Sequence, residues 1–289
     1  MLKNETILKA VQQLLGKDNI SKADILSIKA LNLNNKQLMD ISDLAVFENL
    51  VKLEIKQNAI IDFSPLSNLF QLEELDISND PWNESPQRNK IKSLDFVQKL
   101  VNLKYVNFSH TALTTIDFVK YLPKLQRIEA MCNKISDLSP LKHCSDLRAM
   151  NFYSCRIWDI DVCRYLPKLE GISINENAVR DLSPLENCIN LRVLNVHSNK
   201  LGDISCLKNL TQITYITLDQ NSIGDISVLK NMPNINHLTL SLNPYIKDMS
   251  VLKELKKLSY AEVANLDLTP VQKHELQEDH PKCKFVWSY

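Results

Sequence analysis

Glycine is scarce in this 289-residue chain: only Gly16, Gly171, Gly202 and Gly224 are present. Four isolated glycines cannot build the glycine-rich loops that cradle nucleotide phosphates. Charge of one sign is missing too, with 34 basic residues against 34 acidic ones. That balance removes the electrostatic argument for a nucleic-acid or anionic-membrane partner. No apolar run approaches the roughly 18–20 residues of a membrane span. The opening MLKNETILKAVQQLLGKDN breaks its apolar stretches with charge and lacks the unbroken core of a secretory signal. Seven cysteines occur, an odd and scattered set without a C-x-x-C pair. This pattern predicts unbridged thiols in a reducing, cytoplasmic compartment and gives no metal-ligand spacing.

What the chain has in abundance is self-similarity. Residues 50–71 read LVKLEIKQNAIIDFSPLSNLFQ, residues 125–146 LQRIEAMCNKISDLSPLKHCSD, and residues 169–190 LEGISINENAVRDLSPLENCIN. The common frame is L-x-x-L-x-L-x-x-N-x-I-x-D-I-S-P-L-x-x-L-x-x, with a period of 22. Units begin at Ile28, Leu50, Leu72, Leu103, Leu125, Leu147, Leu169, Leu191, Ile213 and Ile235, and a partial unit begins at Leu258. The third unit carries extra residues around PWNESPQRNK (81–90), and the unit from Ile235 carries one at Pro244-Tyr245.

Each slot of the frame has a physical reason. The L-x-L core predicts a short strand with alternate side chains turned inward. The ninth-slot asparagine (Asn58, Asn133, Asn177, Asn199, Asn221, Asn243) can bond backbone groups as the chain leaves the strand, with Asp80, Thr111 and Cys155 in that slot elsewhere. Asp62, Asp137, Asp181, Asp203 and Asp225 are placed to cap a brief helical or 3₁₀ return turn. Such units bury their apolar edges only by stacking, so the ends require caps. Residues 1–27 are expected to form a helical N-terminal cap, 28–257 about ten repeats, and 258–289 a partial repeat with a C-terminal cap.

The D-I-S-P-L signature at this period resembles the internalin-like and phosphatase-1-regulator-like class of leucine-rich repeats. The stretch ISKADILSIKALNLNNKQLMDISDL also resembles the cap-to-first-repeat junction of bacterial internalin-type proteins. The resemblance implies an α/β solenoid: a right-handed superhelix with a parallel β-sheet on the concave face and short 3₁₀ or helical turns on the convex face. It further implies a non-catalytic module that binds a protein. Repeats and caps together account for the whole sequence, so no catalytic domain, cofactor or metal is expected. A monomeric adaptor, or a bacterial effector acting in a host cell, follows as the functional expectation; a structural or assembly unit is the alternative.

Slots three, five and seven define the surface to inspect. Tyr215, His237 and Tyr260, with His197 nearby, are expected to cluster toward the C-terminal half. Tyr105, Met131 and Tyr153 form a second expected patch, with Arg127 and Glu129 in neighbouring rows. Exposed tyrosines and arginines are the side chains that dominate interface energies. Between the patches, Ala149, Gly171 and Val193 predict a shallow trough. The acidic residues Glu129, Asp219 and Glu262 read as scattered rather than paired. Trp82 in the insertion either serves binding or folds back on its neighbours, whereas Trp158 is expected to pack against the next unit. Cys144, Cys163 and Cys188 occupy apolar slots and read as small buried hydrophobes.

Overall fold

In the computed structural model, residues 2–81 and 88–288 are described. The described chain divides into two compact units, one up to Ile135 and one from Ser136 onward.

The first unit opens with helix α1 (Glu5–Leu15). Asn4 caps its start by accepting from the Thr6 and Ile7 amides, and Gly16 ends it in the left-handed region at φ 65°. Ile7 and Val11 form its buried stripe. Helix α2 (Lys22–Ser27) starts at a capping box in which Ser21 and Asp24 satisfy each other's backbone amides. The strands β1 (Ala30–Asn32), β2 (Lys52–Glu54), β3 (Glu74–Asp76), β4 (Tyr105–Asn107) and β5 (Arg127–Glu129) follow. They pair in parallel and in phase, so Leu31, Leu53, Leu75, Val106 and Ile128 line up and are buried.

The second unit continues the same scheme with β6 (Ala149–Asn151), β7 (Gly171–Ser173), β8 (Val193–Asn195), β9 (Tyr215–Thr217), β10 (His237–Thr239) and β11 (Tyr260–Glu262). Helix α3 (Pro270–Asp279), capped by a Thr269–Gln272 box, and strand β12 (Lys284–Val286) close it. All pair in parallel, β12 beside β11. Return arms such as Ser64–Asn68, Ser139–His143 and Ser205–Asn209 are 3₁₀ turns. Parallel three-residue strands joined by 3₁₀ turns are the architecture expected of the repeat.

Two devices recur along the repeats. The buried Asn133 amide donates to the Phe108, Ala130 and Met131 carbonyls, and its oxygen accepts from the Leu113 amide at 2.9 Å. Asn58, Asn221 and Asn243 bond in the same way. In the return arm, the Asp62 carboxylate accepts from the Ser64 amide at 2.8 Å, and Asp137, Asp181, Asp203 and Asp225 accept from the serine two positions on. The aspartate therefore stands one residue ahead of the turn's formal cap and bonds its first amide.

The third unit departs from expectation in an informative way. Asp80 does not take the ladder position. Asn89, near the end of the insertion and 2 % exposed, donates to the Ile55 and Ile77 carbonyls and accepts from the Ile60 amide. Asn79 fixes it by a reciprocal pair: it accepts from the Asn89 amide at 2.9 Å and donates to the Asn89 carbonyl at 3.0 Å. The insertion thus leaves the frame after the strand and returns to it at a substitute asparagine. A buried carbonyl needs its donor wherever the chain can supply one.

Cys144, Cys163 and Cys188 are buried in the return arms. Burial pushes the Cys144 thiol up to about 12 and the Cys188 thiol to about 11, which keeps them protonated and inert.

Candidate functional site

Strand side chains of the third and fifth slots alternate with the buried leucines and therefore stand on the open face of each sheet. In the second unit this face carries a column of three rings. Tyr215 stacks on His237 with centroids 4.0 Å apart and planes 8° apart; His237 stacks on Tyr260 at 4.4 Å and 5°. In-phase pairing of β9, β10 and β11 places the three residues side by side. The rings lean together slightly from the roughly 4.8 Å strand spacing. Each such contact contributes about 0.5–1.5 kcal/mol beyond area burial. At one end of the column, the Lys284 ammonium lies 5.8 Å from the Tyr260 centroid.

Beside the rings the structure brings together two acids that the sequence left apart. The Ser241 amide donates to Asp219 at 2.8 Å, and the Ser241 hydroxyl reaches Glu262 at 3.4 Å. Thr239 donates to Asp219, and Tyr260 donates to Glu262 at 3.1 Å. Burial above all, with help from Glu262, raises the Asp219 carboxyl, against the hydrogen bonds from Thr239 and Ser241 that lower it. Burial lowers the His237 imidazolium, and Glu262 opposes this less strongly. Burial, then Asp219 and Glu262, raise the Tyr215 phenol. The arrangement is a neutral aromatic ridge flanked by carboxylates, suited to accepting donors and cations from a partner. Both acids are bonded by serine, threonine or tyrosine hydroxyls.

The other predicted residues fall in three places. Tyr105 and Met131 belong to the first unit and Tyr153 to the second. Tyr153 donates to Glu176 at 2.6 Å and its ring lies 6.4 Å from His197, so His197 pairs with Tyr153 rather than with the column. In the first unit, Arg127 sits 5.7 Å from the Tyr105 centroid and bonds Glu129 through two nitrogens, at 2.8 Å and 2.7 Å. Burial, then Asp76 and Glu129, push the Tyr105 phenol up to about 12. Met131 is half-buried on the same face. Trp82 lies outside the described residues. The small row is present as β6–β8 neighbours. A Cβ built on Gly171 would meet the Val193 and Ala149 Cβ atoms at 3.8 and 4.0 Å, ordinary contacts. Space does not force the glycine, and its absent side chain leaves the face low there.

Trp158 overturns its expectation. It is 66 % exposed rather than packed on the next unit. Ile157, fully buried, fills the core position there instead of Trp158.

Among the described residues, no three His, Cys, Asp or Glu side chains converge to hold a metal ion, and no helix is long and apolar enough to cross a membrane. A leucine-rich-repeat family model, two copies long, matches residues 101–143 and again 167–209, in the same frame as the strands and turns described above. The chain carries leucine-rich repeats. Its fold is internalin-like. The internalin InlF of Listeria monocytogenes superposes with a TM-score of 0.82 at 24% identity, covering 99% of the repeat protein and 89% of that chain. Internalin C2 of the same organism gives 0.60 at 26% identity, over 82% of this chain and 93% of its own. A plant peptide hormone receptor, RGFR1, in complex with RGF2, gives 0.67 at 16%, covering 90% of the repeat protein and 47% of the receptor. No curated protein matches the sequence.

Proposed function

We propose that the repeat protein is a non-catalytic adaptor or effector that holds a partner protein against the strand face of its second unit. The observation that carries this reading is the Tyr215–His237–Tyr260 column with Asp219 and Glu262 beside it. The hydrophobic core does not need it. Ile216, Leu238 and Ala261 on the opposite face already fill that core. Half-buried tyrosine and histidine rings, preorganised by stacking, lose little entropy on binding and make effective anchors. Tyr105, Arg127, Glu129 and Met131 would extend contact on the first unit, and Tyr153 and His197 on the second. That a solved protein of this fold is a plant peptide hormone receptor in complex with RGF2 supports the class of activity. Buried, protonated cysteines suit a protein working as a monomer in a reducing cytoplasm, that of a host cell if it is a secreted effector.

The test is affinity capture with the wild-type chain and with a Tyr215→Ala/His237→Ala/Tyr260→Ala variant. The partner captured by the wild type should be absent from the variant eluate. An unchanged capture profile from a folded variant would place the interface elsewhere.

A further inference from the structure

On the return-arm side of the second unit, Trp158 and Tyr165 are 66 % and 58 % exposed. They line a groove of about 500 Å³, together with Asp137, Lys142, Asp159 and Asp161. None of these residues belongs to the strand-face column. Two exposed rings lining one groove form a contiguous patch of the kind that marks an interaction site. Among the described residues, no cation sits over the Trp158 ring, although lysine or arginine covers Tyr105, Tyr121, Tyr260 and Trp287 elsewhere.

The charge around the rings is one-sided. Of the three aspartates in the groove lining, Asp161 is paired with Arg164 at 2.7 Å, which leaves Asp137 and Asp159 against the single lysine Lys142. The aspartates are rigidly held: Asp137 by the Ser139 amide and hydroxyl, Asp159 by the Asp161 amide at 2.8 Å. A fixed carboxylate next to an open aromatic face is the complement of a flat cation. Guanidinium fits this better than ammonium, because it stacks on indole while its edge donates to carboxylate in fork geometry.

We infer that the Trp158–Tyr165 groove is a second binding site, which takes an arginine side chain presented by an exposed segment of a partner protein. The site is separate from the strand face, so the two surfaces can be tested independently.

The experiment is a titration of the full-length chain with the peptide acetyl-Gly-Arg-Gly-amide, read by the Trp158 indole N–H resonance in heteronuclear NMR. The Lys and Glu counterparts serve as comparison. The arginine peptide should give a saturable shift at millimolar concentration, weakened several-fold between 50 and 500 mM salt on the Debye-screening argument. The lysine peptide should bind at least about threefold more weakly, and the glutamate peptide should give no saturable shift. Asp159→Asn should weaken the arginine peptide several-fold. For Tyr165→Ala, whose side chain is exposed and whose loss leaves the core intact, the loss should be about tenfold, read at the same indole. A linear, non-saturating shift, equal binding of all three peptides, or full affinity in folded Tyr165→Ala would each overturn the assignment.

Discussion

At the residue scale, buried amides and one half-buried imidazole carry most of the information. Asn89 serves the third unit as Asn133 serves the fifth, so their alanine variants should behave alike. Each leaves buried carbonyls without donors and an amide without an acceptor, a loss of about 2–4 kcal/mol. Asp80→Ala, at the position that spacing alone assigns to the ladder, should cost no more than about 1 kcal/mol. Urea unfolding midpoints separate these outcomes, and equal losses at 80 and 89 would refute the substitution. The signal was legible: Asn89-Lys90-Ile91 repeats the Asn133-Lys134-Ile135 triplet. It was hidden because counting from Leu72 stops at Asp80, and a period gives no sign of how far an insertion runs before it rejoins. His237 makes the second residue-scale prediction. Its folded value lies below the ordinary 6.5, because burial between two tyrosines disfavours the charged form. The folded state therefore binds this proton less readily than the unfolded one. The stabilisation is complete above about pH 6.5 and is lost as pH falls through the folded value. An NMR titration of the ring should show a midpoint under 6.5, and His237→Gln should flatten the fall in melting temperature between pH 7 and 5. A midpoint at or above 6.5 contradicts the buried-column geometry.

At the element scale, the return turns depend on ionised aspartates. Asp203 is held below the ordinary carboxylate range, first by the Ser205 amide and then by the Ser205 hydroxyl. Asp62, Asp225 and Asp248 are lowered by the corresponding serines. With folded values depressed, their contribution is present above about pH 4 and disappears as pH falls through the folded values. Asp203→Asn keeps an acceptor for the Ser205 amide but removes the charge. It should lower the unfolding midpoint at pH 7 and leave a shallower decline between pH 5 and 2 than the wild type shows. A parallel decline in both proteins would mean that the charge is not involved. Strands, 3₁₀ turns and caps were all readable, because each rests on a local rule that the frame repeats: alternation, a short acceptor two residues ahead, a Ser–Asp or Thr–Gln box. Tertiary contacts across units were not readable in this way. The frame left Asp219 and Glu262 apart. Side-chain reach reversed that judgement, since Ser241, two residues past β10, bonds both acids. The Trp158 ring escaped because the frame fixes which positions are apolar and buried, here Ile157, and not how the residue next to them faces.

At the scale of the whole molecule, function reduces to which surface meets a partner. Equal numbers of acidic and basic residues leave no net field to steer association, so affinity must come from local anchors. Repeats stabilise their neighbours rather than distant units. Truncating the half-exposed rings of β9–β11 therefore removes an anchor without unfolding either unit. Hot-spot aromatics each contribute about 2 kcal/mol or more when truncated. The most direct test of the account is a calorimetric titration of the purified captured partner into the wild-type chain and into the Tyr215→Ala/His237→Ala/Tyr260→Ala variant, with thermal unfolding of each run alongside. The account predicts a loss of at least about 100-fold in affinity, with a folded variant. Affinity within about threefold of wild type, in a variant that unfolds as cooperatively as its parent, would contradict it.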